Sequence, residues 1–257
     1  MIINLNKFAE EENISGNILA YKNPKGKNAA LAEYIVNVCQ SLGRLANNKL
    51  SIASSGRFAV EIAKVCRQKN IDFLPILGVY EDTASFNIIR SLGFDIDRTP
   101  AQEKESAVIR LTEQGWYYFD QFNDPIMVEY YKNEARTAES ELGGAPDIFI
   151  DFMGSGATMR GFYETFAGKC DFGYSNSCYR DENKYARKIF IKDLITNNDI
   201  QLIDVQGTLA KHMAFRYEMG DFGDMGRISP TMFTSVQGAI NWLKLNPGKT
   251  VLLYFEN

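Results

Sequence analysis

The sequence predicts an α/β protein with mainly parallel sheets flanked by helices, built as one large domain or as two compact lobes. Apolar segments of strand type and helix type alternate along the chain, and short glycine- and serine-containing turns join strands to the following helices. The clearest turns are Ser54-Ser55-Gly56, after an apolar run at residues 50–53, and residues 154–158, after an apolar run at 148–153. We call them the 54–56 turn and the 154–158 turn.

Each element follows from local spacing. Apolar residues three and four apart predict helices at 31–38, 58–66, 84–92, 101–114, 126–142, 159–166 and 236–245. Short apolar runs between breakers predict strands at 50–53, 71–79, 94–96, 116–119, 148–153 and 250–255. Two polar stretches with little periodicity, 169–188 and 220–226, are predicted to be loops.

Composition excludes several classes of protein. The chain has 257 residues, 45% of them hydrophobic and 23% charged, which is typical of a soluble globular protein. A net charge of −4 argues against a non-specific nucleic-acid surface, so no nucleic-acid partner is expected. No apolar run approaches the roughly 20 residues of a membrane span, and the N-terminus does not resemble a signal peptide. We therefore expect a cytoplasmic protein with no membrane partner.

Cysteine and histidine content argues against a metal site. Cys39, Cys66, Cys170 and Cys178 lack metal-site spacing, so buried free thiols in a reducing compartment are expected. The chain has a single histidine, His212. This excludes a multi-histidine metal site and argues against a Ser-His-Asp triad. An enzyme with this composition would use a lysine or a cofactor for acid–base chemistry.

The two turns predict anion binding. A strand–turn–helix junction presents free backbone N–H groups at the helix N-terminus, where anions bind favourably. Glycine also lets a phosphate approach the backbone without meeting a Cβ. Two such turns suggest a phosphorylated cofactor beside an amino-acid carboxylate; ordinary βα turns are the alternative. A dinucleotide fold is disfavoured because the Gly154-Ser155-Gly156 segment is not followed by a glycine three residues on.

Four sequence blocks resemble one known family. The 54–56 turn stands where that family has T-S-G-N-T-G, and residues 120–125 (DQFNDP) match D-Q-F-x-N-P. The 154–158 turn (GSGAT) matches G-T-G-G-T, and residues 233–239 (FTSVQGA) match I-S-S-G-A-A. In this order and spacing the chain resembles the cysteine synthase branch of fold-type-II pyridoxal-phosphate enzymes, whose fold is like that of the tryptophan synthase β subunit.

The resemblance implies a role for each matched residue. The cofactor phosphate would lie on Gly154, Ser155, Gly156, Ala157 and Thr158. Ser235 would face the pyridine nitrogen, with a helix N-cap as the alternative. The substrate carboxylate would bind Ser54, Ser55 and Gly56, with Gln121 nearby. Arg57 stands where the family has an asparagine beside the cofactor's 3′-oxygen, and a permanently charged residue there suits an acidic substrate or blocks the pocket.

The resemblance also implies a catalytic lysine. The family's N-P-x-G-S-x-K-D-R corresponds to residues 23–29 (NPKGKNA), where two residues are missing before Lys27 and the Asp-Arg pair is absent. Lys27 is the best match because the following helix stays in register. It would hold the cofactor covalently and abstract the substrate Cα proton. A solvated lysine in a Pro-Gly turn is the alternative.

The function implied is pyridoxal 5′-phosphate-dependent β-replacement or β-elimination on a small amino acid of the O-acetylserine or phosphoserine type. The alternative is a catalytically impaired relative that binds a ligand or a partner. The smaller lobe is expected at 29–119 with the 54–56 turn, and the larger lobe at 1–28 plus 120–257 with the 154–158 turn. The resemblance also implies a homodimer.

Overall fold

The computed structural model of the protein describes residues 1–54, 56–77, 83–100, 103–175, 189–203, 205 and 230–255. By contact density the chain forms two compact units, Met1–Lys27 with Val128–Asn257, and Asn28–Met127. In chain order the described elements are β1 (Ile2–Asn4), α1 (Asn6–Glu11), β2 (Asn17–Tyr21), α2 (Lys27–Ser41), β3 (Lys49–Ser54), α3 (Arg57–Lys69), β4 (Asp72–Leu77), α4 (Thr83–Ser91), α5 (Lys104–Glu113), β5 (Tyr117–Phe119), α6 (Ile126–Leu142), β6 (Ile148–Asp151), α7 (Ala157–Phe166), β7 (Asp171–Tyr174), α8 (Lys192–Thr196), β8 (Gln201–Leu202), α9 (Pro230–Leu245) and β9 (Thr250–Tyr254). This confirms the predicted α/β class.

The first unit contains a six-stranded sheet in the order β1-β2-β9-β6-β7-β8. β1 pairs antiparallel with β2, and every other pair is parallel. The carboxyl ends of β2, β9, β6, β7 and β8 therefore share one edge, which we call the carboxyl edge. Segments that follow these strands begin at that edge, including the loop to Lys27 and the 154–158 turn.

The two faces of this sheet bury different side chains. On one face, Val251, Leu253 and Phe255 pack against buried apolar residues of α1 and α9. Tyr254 points to the opposite face because successive strand residues alternate, and its ring contacts those of Tyr131 on α6 and Phe162 on α7. The second face is thus an aromatic layer beneath α6 and α7.

The second unit contains a three-stranded parallel sheet in the order β4-β3-β5. One of its faces is covered by α5, whose Ala107 and Leu111 pack with Ala53 and Ile76 in a buried cluster. The 54–56 turn begins at the carboxyl end of β3. Gln121 follows the carboxyl end of the neighbouring strand β5 by two residues.

Some local predictions were wrong. The strand expected at 94–96 is absent; the backbone forms only an isolated bridge between Ile76 and Asp97, consistent with the low strand preference of aspartate. Conversely, β7 lies within the stretch expected to be a loop, because a short buried strand of four residues carries little periodicity. The expected loop at 220–226, like His212 and Cys178, lies outside the described residues.

Within the described ranges, every helix is too short or too polar to cross a membrane.

Candidate functional site

The 154–158 turn leads from β6 into α7. Gly156 is the residue before the helix and has a left-handed φ of 88°, which glycine adopts without a steric cost. The first intrahelical bond runs from the Arg160 N–H to the Gly156 carbonyl at 2.9 Å, so the N–H groups of the preceding first turn lie outside the helical ladder. One of them, that of Ala157, donates to Ser155 Oγ at 3.3 Å.

The open side of this turn is at Gly154. Gly154 is exposed, and a Cβ placed on it would meet nothing within 4 Å. A Cβ on Gly156 would instead lie 2.5 Å from Cγ2 of the fully buried Ile191. The expectation that glycine admits a ligand therefore suits Gly154, whereas Gly156 makes room for a side chain of the protein.

Ion pairs hold Ile191 on the turn. Ile191 directly precedes α8, and Asp193 in that helix pairs with Arg160 of α7 at 2.7 Å. Arg160 also pairs with Glu164 at 2.6 Å. The segment that covers Gly156 is therefore attached to the same helix that the turn opens.

Lys27 is the first residue of α2, at the end of a short loop after β2. The loop is closed by hydrogen bonds from the Gly26 N–H to the Asn23 carbonyl and from the Lys25 N–H to Asn23 Oδ1, both at 2.9 Å. The Lys27 side chain is half-buried, with Nζ 5.4 Å from the ring centroid of Tyr254 and 5.8 Å from that of Tyr131. It is not a fully solvated lysine.

Sheet order places the Lys27 loop near the 154–158 turn. β2 and β6 are the two neighbours of β9. Because adjacent strands lie about 4.8 Å apart, the ends of β2 and β6 are separated by about 10 Å. Tyr254, the last residue of β9, lies between them. The Lys27 loop and the 154–158 turn are thus neighbours at the carboxyl edge.

Ser235 joins the same edge from α9. It is buried, and its Oγ lies 3.5 Å from Oγ of Ser175, the residue that follows β7. α9 begins at Pro230, so Ser235 is in its second turn and the N-cap alternative was wrong. A pair of buried hydroxyl groups therefore stands at this edge, on the β7 side of the turn.

The 54–56 turn belongs to the second unit. Ser54 is buried, and its Oγ accepts from the Gly56 N–H at 3.3 Å. Gly56 has φ 120° and precedes α3. Gln121 donates from Nε2 to the Ala53 carbonyl at 2.7 Å, so its side chain is fixed beside the turn. Ser55 lies outside the described residues, and its binding to one ligand together with the 154–158 turn stays a prediction.

Arg57 is exposed at the first position of α3. The described part of the chain contains no carboxylate paired with its guanidinium. At a helix N-terminus a free cation adds to the positive end of the helix dipole, which strengthens attraction for an anion. Arg57 therefore extends the electropositive character of the 54–56 turn.

The three cysteines that the structure describes contribute no reactive thiol to this arrangement. Cys39 and Cys66 are buried, and burial raises the pKa of each thiol to about 12, far from the range of a reactive cysteine. Burial raises the pKa of Cys170 to about 12 as well. In the ranges that the structure describes, no cluster of metal-ligating side chains occurs.

Sequence reasoning missed several residues of the carboxyl edge. Tyr254, Tyr131, Ser175 and Glu134 were not identified, although one signal for Glu134 was present. In α6, Tyr130, Tyr131, Ala135 and Ala138 form a buried face, and Glu134 lies on it. A carboxylate on an apolar helix face is rarely buried without partners, so its position alone marks it.

These residues fit a phosphorylated aldehyde cofactor. The 154–158 turn offers N–H donors with open space at Gly154, and the Thr158 hydroxyl has no hydrogen-bond partner among the described residues. Lys27 supplies a primary amine at the same edge, and Ser235 a neutral hydroxyl. Phosphate, aldehyde and ring nitrogen thus each have a chemically suitable partner.

Solved structures share the fold. Cysteine synthase from Entamoeba histolytica matches with a TM-score of 0.82 at 17% identity, covering 100% of this chain and 84% of that one. A hydrogen sulfide-producing enzyme from Fusobacterium nucleatum gives 0.75 at 14%, covering 100% and 94%. O-acetylserine-dependent cystathionine β-synthase from Helicobacter pylori gives 0.75 at 16%, covering 99% and 91%. At these identities the likeness shows the fold alone.

Sequence comparison gives the family. No curated protein matches the sequence. The family described as pyridoxal-phosphate dependent enzyme matches residues 28–176, more than half of the chain, including both turns and Gln121. Lys27 directly precedes the matched segment, and Ser235 lies beyond it. The chain belongs to the family of pyridoxal-phosphate dependent enzymes, and its fold is that of the cysteine synthase type.

Proposed function

We propose that the protein is a lyase or transferase of amino-acid biosynthesis that catalyses β-elimination or β-replacement on a small amino acid. The observation that carries this proposal is the meeting of three groups at one sheet edge: the Lys27 amine, the 154–158 turn and the Ser235 hydroxyl. Each suits a different part of pyridoxal phosphate.

The residues have distinct roles in this proposal. The 154–158 turn binds the phosphate, with the Thr158 hydroxyl as a further donor. Lys27 would hold the cofactor covalently through its amine and would take the proton from the substrate Cα. Pyridoxal phosphate, when bound, would supply an electron sink. Ser235 leaves the ring nitrogen without a charged partner, which favours elimination and replacement over transamination.

We propose that the residues that bind the substrate belong to the second unit. N–H groups of the 54–56 turn bind the substrate carboxylate, assisted by Gln121, whose side chain the Ala53 carbonyl fixes. Arg57, exposed at the start of α3, favours an acidic leaving group, so we propose a phosphoserine-type substrate over O-acetylserine. Arg57→Ala should lower turnover of the phosphorylated substrate by about tenfold or more while sparing the acetylated one, a loss expected of a charge-assisted contact. Equal losses on both substrates would argue against this role.

Lys27 provides the test of the function. Full-length protein mixed with pyridoxal phosphate should develop the visible absorption band of a lysine-bound cofactor, and borohydride reduction should fix the label on the peptide that contains Lys27. Lys27→Ala should abolish both the label and the activity. It should remain folded and lose no more than about 1 kcal/mol in the free energy of unfolding, because the half-buried Lys27 side chain forms cation–π contacts with Tyr254 and Tyr131. Lys25→Ala, in the same loop, is the matched control and should keep both.

A wild-type protein that never develops the band, even in excess cofactor, would contradict the proposal and favour a relative that binds ligands without catalysis. We further propose a cytoplasmic homodimer, by analogy with the family. Sedimentation as a monomer at micromolar concentration would contradict the dimer.

A further inference from the structure

The Lys27 side chain has a defined neighbourhood of its own. Its Nζ lies over the rings of Tyr254 and Tyr131, which themselves meet edge to face with centroids 5.6 Å apart. A cation over an aromatic face is attracted by the ring quadrupole, and the attraction is greatest where water is partly excluded. Both rings are buried, so the amine rests on a fixed surface.

A buried carboxylate organises that surface. Glu134 is 7% exposed, and its oxygens accept from the Tyr254 hydroxyl at 3.0 Å and from Asn23 Nδ2 at 3.1 Å. Burial, together with the neighbouring tyrosines and Glu134, holds the pKa of Tyr254 well above its usual range, so the phenol keeps the proton that it donates. A buried carboxylate is tolerated only when such donors are present.

The Glu134 carboxylate holds both the loop that leads to Lys27 and the tyrosine ring beneath the Lys27 amine. Asn23 begins the loop that leads to Lys27 and closes it through its own carbonyl and Oδ1. Tyr254 carries the ring beneath Nζ. Because Glu134 bonds to Asn23 and to Tyr254, the origin of the lysine loop and the surface under its amine are held by one group. Removing Glu134 should therefore loosen both.

We propose that Tyr254, held by Glu134, is a positioning residue that seats the Lys27 amine at the carboxyl edge. This inference rests on the proposed function, in which Lys27 carries the cofactor. We call Tyr254 with its Glu134 hydrogen bond the lysine seat. The seat keeps the amine beside the 154–158 turn whenever the amine is not covalently bound. It also stabilises the charged form of the amine, which is the form that Lys27 has after taking the substrate proton.

The test uses the cofactor-free, full-length protein and so does not depend on activity. Trace acetic anhydride labels only uncharged, accessible amines, and mass spectrometry gives the ratio of labelling at Lys27 to labelling at Lys25, an internal reference in the same loop. Tyr254→Leu should raise this ratio about three- to tenfold, the factor expected for loss of a cation–π contact. Tyr163→Leu is the same change in the same unit, but on α7, where the ring contacts that of Phe172 in β7; it should leave the ratio unchanged.

A second variant guards against misfolding of Tyr254→Leu. Glu134→Gln is nearly isosteric and keeps one oxygen acceptor, so its thermal melt should show a folded protein, and its Lys27 ratio should rise about twofold or more as the charge that orders the seat is lost. Tyr254→Phe keeps the ring but loses the hydrogen bond to Glu134, so its ratio should lie between those of the wild type and Tyr254→Leu.

The outcomes separate the seat from the function. If the Lys27-to-Lys25 labelling ratio is unchanged in folded Tyr254→Leu or Glu134→Gln, the proposed positioning of Lys27 by Tyr254 is wrong. This holds even when the wild type binds pyridoxal phosphate through Lys27. If the ratio rises but the wild type never develops the cofactor band, the seat stands and the proposed function fails.

Discussion

Gly156→Ala should destabilise the protein rather than merely weaken its ligand. The new Cβ would lie 2.5 Å from Ile191 Cγ2 and 3.1 Å from Cγ1, and the backbone would have to keep a φ of 88°. The left-handed conformation costs an L-residue about 1 kcal/mol, and overpacking a buried site costs about 1–3 kcal/mol. Together we expect a loss of about 2–4 kcal/mol in the free energy of unfolding.

A double-mutant cycle isolates the contact. Ile191→Ala removes all three atoms that approach Gly156, and by itself should cost about 2–5 kcal/mol because it leaves a cavity. Since the two changes relieve each other, the double variant should be about 1–2 kcal/mol more stable than the sum of the single losses. Chemical denaturation followed by fluorescence, without cofactor, measures each corner of the cycle.

Gly154→Ala is the matched control. Its Cβ would meet nothing within 4 Å, and its φ lies outside the left-handed region. Stability should change by less than about 0.5 kcal/mol, while affinity for pyridoxal phosphate should fall if the phosphate approaches this residue. A Gly156→Ala protein as stable as the wild type would refute the predicted clash with Ile191, and so would strictly additive stability losses in the cycle. Either result would favour a role for Gly156 in leaving space for the ligand.

Two further predictions concern titration. At pH 8 in the native protein, Cys39 and Cys66 should react with a disulfide reagent at least about a hundredfold more slowly than after unfolding, because a pKa of about 12 leaves almost no thiolate; fast native labelling of their peptides would contradict this. The hydrogen bond and ion pair with Lys249, together with the hydrogen bond from the Thr250 N–H, lower the pKa of Asp147 in the folded protein. The ionised Asp147 therefore stabilises the fold at pH values above the ordinary carboxyl range. This stabilisation is lost as the pH falls through the lowered pKa of the folded state. Asp147→Asn should cost about 0.5–1 kcal/mol at pH 7 and nothing at a pH below that value, as denaturation at both pH values would show.

Local sequence predicted the strand–turn–helix junctions because their signals lie within a few residues. The 154–158 turn has its glycines, its preceding apolar run and its following helix in one short stretch, and the structure has the same arrangement. Lys27 at the start of α2 was found by helix register. By contrast, β2 was not identified. Four of its five residues are apolar, but a run this short has no periodicity that separates a strand from part of a helix.

The residues around the lysine could not be predicted because their signal is long-range. Glu134 is 111 residues from Asn23 and 120 from Tyr254 in the chain, and only the packing of α6 on the sheet brings them together. The close approach of Ile191 to Gly156 could not be predicted for the same reason. The glycine motif is local, but Ile191, which directly precedes α8, lies far along the chain from it.

The lengths of the outer strands limit how the sheets can grow. Among the described residues the six-stranded sheet ends in β1, with three residues, and β8, with two, so neither of these outer strands offers a long row of unpaired backbone groups. In the other sheet the edge strand β4 contains Pro75, which has no N–H to donate, and its carbonyl already accepts from Asp97. Such edges resist the addition of a foreign strand. A second copy of this chain should accordingly associate through side chains on helices or loops, and the native protein should withstand concentration without forming fibrous aggregates.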